Sequence, residues 1–358
     1  MAGNEQRMLV FVGSYAEASS EGIYVYEFDE NTGELTRLDS VAGLKNPTFL
    51  NVDPANRKLY TIEESFAEGG KVSDAYSYDI DPVTGKLTEI SKAYVLDGPA
   101  CHIQRREDNK YITVTSYHQG SVGLVKLDEG GKIGEVLDIQ QHVGSSVHEN
   151  QQAPHPHSSF FSPDSRFLFV CDLGIDKIRA YRIDEEAGKL VFHGDTELKA
   201  GSGPRHLTFH PTGAYAYVIN ELNSTVTAYA YNAEQGTLNE LQTISTMPAG
   251  DDQWNGCAEI TISADGRYVY GSNRGHDSIV VYAVDAETGK LTLVQHISTE
   301  GGHPRHFSIL PGGQYMIVAN RDANNMAVFK VDQDSGELTY TGYSVEVSKP
   351  VCVWGYHI

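Results

Sequence analysis

Short apolar segments separated by polar turns run along the whole chain, and Gly203–Glu221 shows the pattern most clearly. Two apolar segments flank the turn Pro211-Thr-Gly213, and charged side chains occur only at Arg205, near the start, and at Glu221, at the end. Such segments, bounded by turn residues, predict two β-strands. Antiparallel pairing would place Arg205 beside Glu221 at one end of the sheet.

Repetition of this two-strand pattern organises the chain. A turn of the form x-Gly-x-(Leu/Ile) occurs seven times, and its glycines are Gly33, Gly85, Gly131, Gly188, Gly236, Gly289 and Gly336. A marker residue, usually proline, opens each unit, and the markers are Pro47, Pro99, Pro156, Pro204, Cys257, Pro304 and Pro350. Marker and glycine lie 32 residues apart in five units, whereas the unit from Pro47 to Gly85 is longer, with an insertion at Phe66–Lys71. Four short strands in a repeat of about 45 to 50 residues are the signature of a β-propeller blade.

The two ends of the chain complete one further repeat. The segment that begins at Lys349 stops after one strand, and the segment Met8–Ser14 matches a second strand. We therefore predict an all-β protein, a seven-bladed β-propeller with four antiparallel strands per blade. Its C-terminal strand would be innermost in one blade and would pair with the N-terminal strands to close the ring. The predicted domain is a single one, 1–358, with one blade split between 8–42 and 349–358.

Composition and charge narrow the classes of partner. The formal net charge of −21 argues against a nucleic-acid or anionic-membrane partner, because the field of the protein repels polyanions. The N-terminal residues contain no apolar signal segment, and no apolar run approaches the length of a membrane span. The isolated cysteines Cys101, Cys171, Cys257 and Cys352 have neither metal-binding spacing nor a disulfide framework. These features predict a cytoplasmic monomer without a cofactor.

Residues at equivalent positions of the repeats can be compared to find side chains that packing does not require. One residue after the marker the units hold Thr48, Ala100, His157, Arg205, Ala258, Arg305 and Val351. Seventeen residues after it they hold Glu64, Ser116, Leu173, Glu221, Arg274 and Arg321. Small or apolar residues occupy these positions in several units, so the fold does not require charge there. His157, Arg205, Glu221 and Arg274 come from consecutive units and fall on the rim where the central channel opens, opposite the glycine turns.

This group of side chains predicts a site for a small anionic substrate. The guanidiniums of Arg205, Arg274 and Arg305 remain protonated at neutral pH and would bind a carboxylate, a phosphate or a developing oxyanion. His157 or Glu221 would transfer the proton.

Several further residues are candidates around this site. Glu259 follows a marker by two residues, and we expect it to pair with an arginine of the site, because an unpaired carboxylate there would be costly. His206 and His306 are expected to be hydrogen-bonded structural groups. The insertion Gln141–Ala153 is a candidate lid or metal-binding loop, and His155 precedes His157 on one strand face. No nearby carboxylate completes a usual ligand set, so no metal site is predicted.

Five segments of the chain resemble a known family. They are Ala153-Pro-His-Pro-His157-Ser, Gly203-Pro-Arg-His206, Val218-Ile-Asn-Glu221-Leu-Asn-Ser, Cys257-Ala-Glu259-Ile and Ser272-Asn-Arg274-Gly-His-Asp-Ser. They are similar to segments of the seven-bladed lactonases, which include bacterial 6-phosphogluconolactonases and fungal carboxy-cis,cis-muconate cyclising enzymes. The resemblance covers essentially the whole chain. It implies a metal-independent lactonase site formed by His157, Arg205, Glu221 and Arg274.

The resemblance implies hydrolysis of a phosphorylated sugar lactone, in particular 6-phosphogluconolactone. In the mechanism we predict, His157 is oriented by Glu221 and activates water, and Arg205 stabilises the tetrahedral oxyanion. Arg274, together with Arg305 or His276, holds the phosphate. With the roles exchanged, Glu221 is the base and His157 donates a proton to the leaving ring oxygen. A lactone-forming cyclase and a non-catalytic propeller that binds a partner remain the alternatives.

Overall fold

The computed structural model describes residues 7–67 and 70–358. Within these ranges the chain forms 28 β-strands and one short 3-10 helix, Glu129–Gly131, and the strands make seven four-stranded antiparallel sheets. The prediction of an all-β, seven-bladed propeller is confirmed. The N-terminal residues 1–6, predicted to lack a signal segment, and residues 68 and 69 of the predicted insertion lie outside the described residues.

The blades follow one another along the chain, and each sheet contains four strands. Blade 1 contains β1 (Met8–Ser14), β2 (Glu21–Asp29), β3 (Glu34–Ala42) and the last strand of the chain, β28 (Pro350–His357). Blade 2 contains β4 (Leu50–Asp53), β5 (Lys58–Ala67), β6 (Gly70–Ile80) and β7 (Leu87–Asp97). Blade 3 contains β8 (His102–Arg105), β9 (Tyr111–Ser116), β10 (Ser121–Asp128) and β11 (Lys132–Gln141). Blade 4 contains β12 (Pro156–Phe161), β13 (Leu168–Asp172), β14 (Lys177–Asp184) and β15 (Lys189–Glu197).

The remaining three blades have the same order of strands. Blade 5 contains β16 (Pro204–Phe209), β17 (Tyr215–Asn220), β18 (Thr225–Asn232) and β19 (Thr237–Ser245). Blade 6 contains β20 (Gly256–Ile262), β21 (Tyr268–Arg274), β22 (Ser278–Val284) and β23 (Leu291–Ser298). Blade 7 contains β24 (Pro304–Ile309), β25 (Tyr315–Asn320), β26 (Asn325–Val331) and β27 (Leu338–Glu346).

Blade 1 closes the ring by joining the two ends of the chain. Its strand order is β28-β1-β2-β3, and β28 pairs antiparallel with β1, with Leu9 opposite Tyr356 and Phe11 opposite Trp354. The C-terminal strand is therefore innermost, as predicted. The pairing removes two unpaired strand edges that an open ring would expose.

Apolar side chains between neighbouring blades form the core. Every residue of β1 and β21 is buried, whereas in the outer strand β19 only Leu238 is buried and the other residues are exposed or half-buried. Between blades 5 and 6, for example, Tyr217 and Ile219 pack with Val269 and Val280. Removal of this apolar surface from water holds adjacent blades together. The described part of the chain has no helix whose length and hydropathy would let it span a bilayer.

The direction of the strands gives the propeller two different rims. In each blade the first strand begins, and the second ends, at one rim, and the third and fourth strands are joined at the other. We call the rim that carries the seven repeated turn glycines the turn rim. The rim that carries His157, Arg205, Glu221 and Arg274 is the site rim.

Candidate active site

A cavity of about 490 Å³ opens at the site rim, and residues associated with all seven blades line it. A cavity lined by the whole ring must lie over the central channel. Of the residues predicted for the site, His157, Glu221, Arg274 and Arg305 line this cavity. The comparison of repeats therefore selected residues that share one cavity, and their catalytic roles stay a prediction.

β-Bulges place several of these side chains. His157, Arg205 and Arg305 each occupy the same position in their blades, and each is skipped in the pairing between the first and second strands. In blade 5, Pro204 pairs with Asn220 and His206 with Ile219, so Arg205 has no partner residue. A bulge turns the extra residue out of the regular alternation of side chains.

Arg205, Glu221 and Arg274 form an ion-paired cluster. Glu221 Oε2 lies 3.1 Å from Arg205 Nε and 2.8 Å from Arg274 Nη2. The predicted contact between Arg205 and Glu221 is confirmed. Burial alone would raise the pKa of Glu221, but the charges of Arg274 and Arg205 outweigh burial and lower that pKa. Glu221 is consequently an ionised carboxylate, and both arginines contact the same oxygen, Oε2.

The backbone of blade 6 holds both guanidiniums in place. Arg274 Nε donates to Gly256 O at 2.8 Å, and Arg274 Nη2 donates to Cys257 O at 2.7 Å. Arg205 Nη1 donates to Ala258 O at 2.6 Å. Burial and the nearby Arg274 charge lower the pKa of Arg205 to about 9, which leaves it protonated at neutral pH.

The two arginines differ in their access to the cavity. Arg205 is 2% exposed and is absent from the cavity wall, whereas Arg274 lines it. This placement does not suit the direct contact that the sequence predicted between Arg205 and a substrate oxyanion. Arg205 lies behind Glu221 and holds it toward Arg274.

His157 lines the cavity as a neutral imidazole. Its side chain makes no hydrogen bond within the described residues, and Nδ1 is buried without a partner. Burial, reinforced by the charge of Arg205, lowers the pKa of His157 well below its usual range. The predicted orientation of His157 by Glu221 is wrong, because Glu221 is engaged by arginines. The His157 ring instead packs against Tyr117 and His206, with ring centres 5.9 Å and 5.1 Å away.

Arg305 reaches the cavity without a polar partner. No hydrogen bond or ion pair of its guanidinium occurs within the described ranges, and the group lies 5.7 Å from the centre of the Tyr15 ring. Arg305 and His157 line the same cavity, and the charge of Arg305 contributes to the lowered pKa of His157. All five N–H donors of Arg305 are thus available to a ligand.

The sequence analysis missed several lining residues, among them Tyr117, His118 and Lys71. Tyr117 and His118 follow β9, and Lys71 lies in the long β5–β6 hairpin produced by the insertion in blade 2. Lys71 Nζ lies 3.1 Å from Glu64 Oε1, which also lines the cavity. The longer repeat signalled an insertion, but nothing in its sequence indicated its direction.

Glu259 has different partners from those predicted. Its carboxylate lies 3.1 Å from His206 Nδ1 and 3.2 Å from His306 Nε2, and it forms no ion pair with an arginine of the described chain. A bulge between Cys257 and Ile260 shifts the register of β20 and re-aims this side chain. Burial raises the pKa of Glu259. His206 and His306 are therefore its structural partners.

His276 and His155 lie beside the cavity and do not line it. His276 Nδ1 contacts Ser278 Oγ at 2.6 Å, and His276 Nε2 lies 3.6 Å from Asp251 Oδ2. His155 Nδ1 lies 2.8 Å from Tyr117 O, and the two rings stack. His155 thus contacts the lining residue Tyr117, and His276 contacts the loop between β19 and β20.

The insertion Gln141–Ala153 packs against blade 4, and none of its residues lines the cavity. His142 Nδ1 contacts Asp172 Oδ2 at 2.6 Å, and His142 Nε2 contacts Tyr181 Oη at 2.9 Å. These contacts fix the segment away from the position expected of a lid. Within residues 7–67 and 70–358, no group of three or more His, Cys, Asp and Glu side chains is arranged to hold a metal ion.

Comparison with known proteins identifies the family. A family model described as lactonase, seven-bladed β-propeller, matches residues 9–354. The chain belongs to this lactonase family. The enzyme class predicted from the sequence, a hydrolase that acts on cyclic esters, is confirmed by this membership.

Individual lactonases are similar to this protein over most of its length. The 6-phosphogluconolactonase of Bacillus subtilis is 36% identical over 302 residues, which cover 84% of each protein. The structure of a periplasmic gluconolactonase from Pseudomonas aeruginosa has a TM-score of 0.92 and 36% identity and covers 98% of this chain and 99% of that one. A putative 6-phosphogluconolactonase from Bacteroides fragilis has a TM-score of 0.90 and 31% identity, with 99% of each chain covered. These lactonases differ in whether the named substrate carries a phosphate.

Proposed function

We propose that this lactonase hydrolyses 6-phosphogluconolactone to 6-phosphogluconate without a metal ion. The observation that carries the proposal is that a neutral, unpartnered imidazole and two guanidiniums face one cavity. These groups supply a base and cationic donors, which are the functions that a metal often provides in hydrolysis. The names of two relatives support the choice of a phosphorylated substrate.

His157 is the proposed general base. Its lowered pKa keeps the imidazole neutral at neutral pH, so it can accept a proton from water as that water attacks the lactone carbonyl. The C–O bond of the ring then breaks, and the imidazolium returns the proton to the leaving ring oxygen. Glu221 is the weaker candidate, because Arg205 and Arg274 both contact its carboxylate, which serves as their counter-ion.

Arg274 is the proposed donor to the developing oxyanion. Its contacts with Glu221 and with two backbone carbonyls involve Nε and Nη2, which leaves Nη1 for the substrate. A donor that is already fixed needs no reorganisation when negative charge develops on the carbonyl oxygen. This assignment moves Arg274 from the phosphate, where the sequence analysis placed it, to the reacting carbonyl.

Arg305 is the proposed phosphate ligand. Its guanidinium has no polar partner in the described structure, and a free planar guanidinium forms two parallel hydrogen bonds with phosphate oxygens. Lys71 adds a second positive charge to the same cavity. A phosphorylated lactone would therefore bind more tightly than its unphosphorylated analogue.

The proposal is tested by hydrolysis of freshly prepared 6-phosphoglucono-δ-lactone, with the spontaneous rate subtracted. Wild type, His157→Ala and the control His148→Ala are compared with and without EDTA; His148 lies in the Gln141–Ala153 segment, outside the cavity. We expect EDTA to leave the wild-type rate unchanged. His157→Ala should lose activity by about 100-fold or more, the usual contribution of a general base, whereas His148→Ala should retain it.

Two results would contradict the proposal. Loss of wild-type activity in EDTA that added metal restores would overturn the metal-free mechanism. If folded wild type does not hydrolyse 6-phosphogluconolactone, the proposed substrate is wrong. Muconate-type lactones and then partner binding would be tested next.

A further inference from the structure

An exposed tryptophan stands on the site rim beside the candidate active site. Trp254 is 73% exposed and lies in the loop between β19 and β20, within residues 246–255. Trp354, the other tryptophan of the chain, lies in β28 and is half-buried. Single exposed apolar residues are common on protein surfaces, so exposure by itself assigns no role to Trp254.

The indole of Trp254 packs against two glycines, Gly275 and Gly256. A Cβ atom placed on Gly275 would lie 2.8 Å from Trp254 Cε3, closer than any side chain could fit. A Cβ atom placed on Gly256 would lie 3.7 Å from Trp254 Cζ2. Gly275 also has a φ of +111°, which disfavours other residues. The indole therefore packs against bare backbone at both positions.

The same backbone positions Arg274. Gly275 follows Arg274 in the chain, and Gly256 O accepts a hydrogen bond from Arg274 Nε. The Cβ atom placed on Gly256 would lie 3.3 Å from Arg274 Nη2 as well as 3.7 Å from Trp254 Cζ2. The indole and this guanidinium are consequently no more than about 7 Å apart, the sum of the two distances. A molecule bound to Arg274 lies within reach of the indole.

Contacts on both sides of Trp254 hold its loop in place. Asn255 Nδ2 donates to Asn273 Oδ1 and to Ser224 Oγ, both at 3.0 Å. On the other side, Asp251 Oδ2 lies 3.6 Å from His276 Nε2. His276 thus contacts the loop that carries Trp254. The sequence analysis had assigned His276 to substrate binding, and this contact instead gives it a role in holding the loop. A fixed aromatic group loses little conformational entropy when a ligand binds.

We propose that Trp254 binds one face of the sugar ring of the lactone at the mouth of the cavity, with His276 as a positioning residue. This inference rests on the proposed function. The aliphatic C–H groups of a sugar ring carry small positive partial charges, and the face of an indole is negative. The indole would contact the ring while Arg274 contacts the carbonyl oxygen and Arg305 the phosphate.

The test compares the kinetics of Trp254→Ala, Trp254→Phe and wild type with 6-phosphoglucono-δ-lactone and with glucono-δ-lactone. We expect Trp254→Ala to raise KM about tenfold for both lactones, with kcat within about twofold of wild type, because the stacked ring is common to both substrates. Trp254→Phe should recover most of the affinity. Phe192→Ala, a change at a 56% exposed aromatic residue of the outer strand β15, is the matched control and should leave both constants unchanged.

A binding measurement separates this inference from the proposed function. Titration with 1,5-anhydroglucitol 6-phosphate, which keeps the ring and the phosphate but has no lactone bond to hydrolyse, should change the tryptophan fluorescence of wild type. Trp254→Phe, which retains Trp354, should lose that change. An unchanged KM in active Trp254→Ala would overturn the sugar-ring contact and leave the hydrolytic function standing. A fluorescence change in wild type that has no lactonase activity would contradict the hydrolytic function and support the ring-binding site.

Discussion

The two rims of the propeller are built from the same repeat but differ in regularity. At the turn rim, the turn glycine of one blade packs against an aromatic ring of the preceding blade in five cases. These pairs are Gly33 with Tyr315, Gly131 with Tyr60, Gly236 with Phe167, Gly289 with Tyr215 and Gly336 with Tyr268. At the other two turns, Gly85 and Gly188 meet Leu38 and Leu137 of the preceding blade, so similar contacts recur around this rim.

At the site rim, equivalent positions hold different residues. The position one residue after the marker carries His157, Arg205 and Arg305 in three blades and small or apolar residues in the others. His157 and Arg305 line one cavity, and Arg205 lies behind it, paired with the lining residue Glu221. Recurrence at a repeat position thus indicates packing, and departure from recurrence indicates chemistry. Changes at the site rim should affect activity, and changes at the turn rim should affect stability.

The largest expected effect is on turnover. Arg274→Ala should lower kcat about 100- to 1000-fold, because the variant lacks the fixed donor to the oxyanion. Arg321→Ala is the matched control, since Arg321 occupies the equivalent position in the next blade but does not line the cavity. Steady-state kinetics with 6-phosphoglucono-δ-lactone measure both. A raised KM with unchanged kcat would return Arg274 to the phosphate-binding role predicted from the sequence.

The second-largest expected effect is a loss of stability on substitution of a glycine at the turn rim. A Cβ on Gly289 would lie 2.3 Å from the Tyr215 ring at a φ of +68°, whereas a Cβ on Gly213, at a φ of +70°, would meet nothing within 4 Å. Gly289→Ala should therefore lower the free energy of unfolding by about 3 kcal/mol and Gly213→Ala by about 1 kcal/mol. Denaturant unfolding measures the difference, and kcat of each folded variant should match wild type. Equal destabilisation by the two variants would show that the aromatic contact contributes nothing.

Substrate selection at the site rim should depend on Arg305. Arg305→Ala should raise KM for 6-phosphoglucono-δ-lactone about 30-fold, the loss of about 2 kcal/mol of charge-assisted hydrogen bonding. KM for glucono-δ-lactone should change little, because that lactone has no phosphate. A parallel rise in KM for both lactones would contradict the assignment, and Arg305→Lys should show an intermediate preference.

The smallest expected effect is the dependence of stability on pH. Burial lowers the pKa of His102, His157 and His206 in the channel well below the usual value. Below about pH 6.5 these histidines bind protons in the unfolded chain but stay neutral in the folded chain. The free energy of unfolding is therefore highest above pH 6.5 and decreases as the pH falls below that value. Each histidine should contribute a slope of about 1.4 kcal/mol per pH unit below that value. Denaturant unfolding between pH 7.5 and 5.5 should give a flatter slope for His102→Gln, and an unchanged slope would contradict the prediction.

Local patterning was sufficient to predict the fold. Period-two strands, the spacing from marker to turn glycine and the complementary chain ends all depend on residues close in sequence or on a repeat that can be counted. The two strands predicted on either side of Pro211-Thr-Gly213 are β16 and β17. Pairing of neighbouring strands also placed Arg205 beside Glu221 correctly.

Contacts between blades were harder to predict. Glu259 was expected to pair with an arginine, but the bulge in β20 turns it toward His206 and His306. His157 was expected to contact Glu221, but they belong to different blades and their separation depends on how those blades pack. The distances between side chains of different blades depend on β-bulges, in which one strand has an extra residue. The pattern of hydrophobic and polar residues does not show where such bulges occur.

The sequence alone determined the number of blades, the closure of the ring and the rim that carries His157, Arg205, Glu221 and Arg274, because each follows from local pairing repeated along the chain. Only the tertiary structure decided which charged groups reach the cavity. It buried Arg205 behind Glu221, left Arg305 without a polar partner and set Trp254 beside Arg274. These outcomes depend on bulges, loop paths and contacts between blades, where a shift of a few ångströms changes which groups pair and which remain available to a substrate.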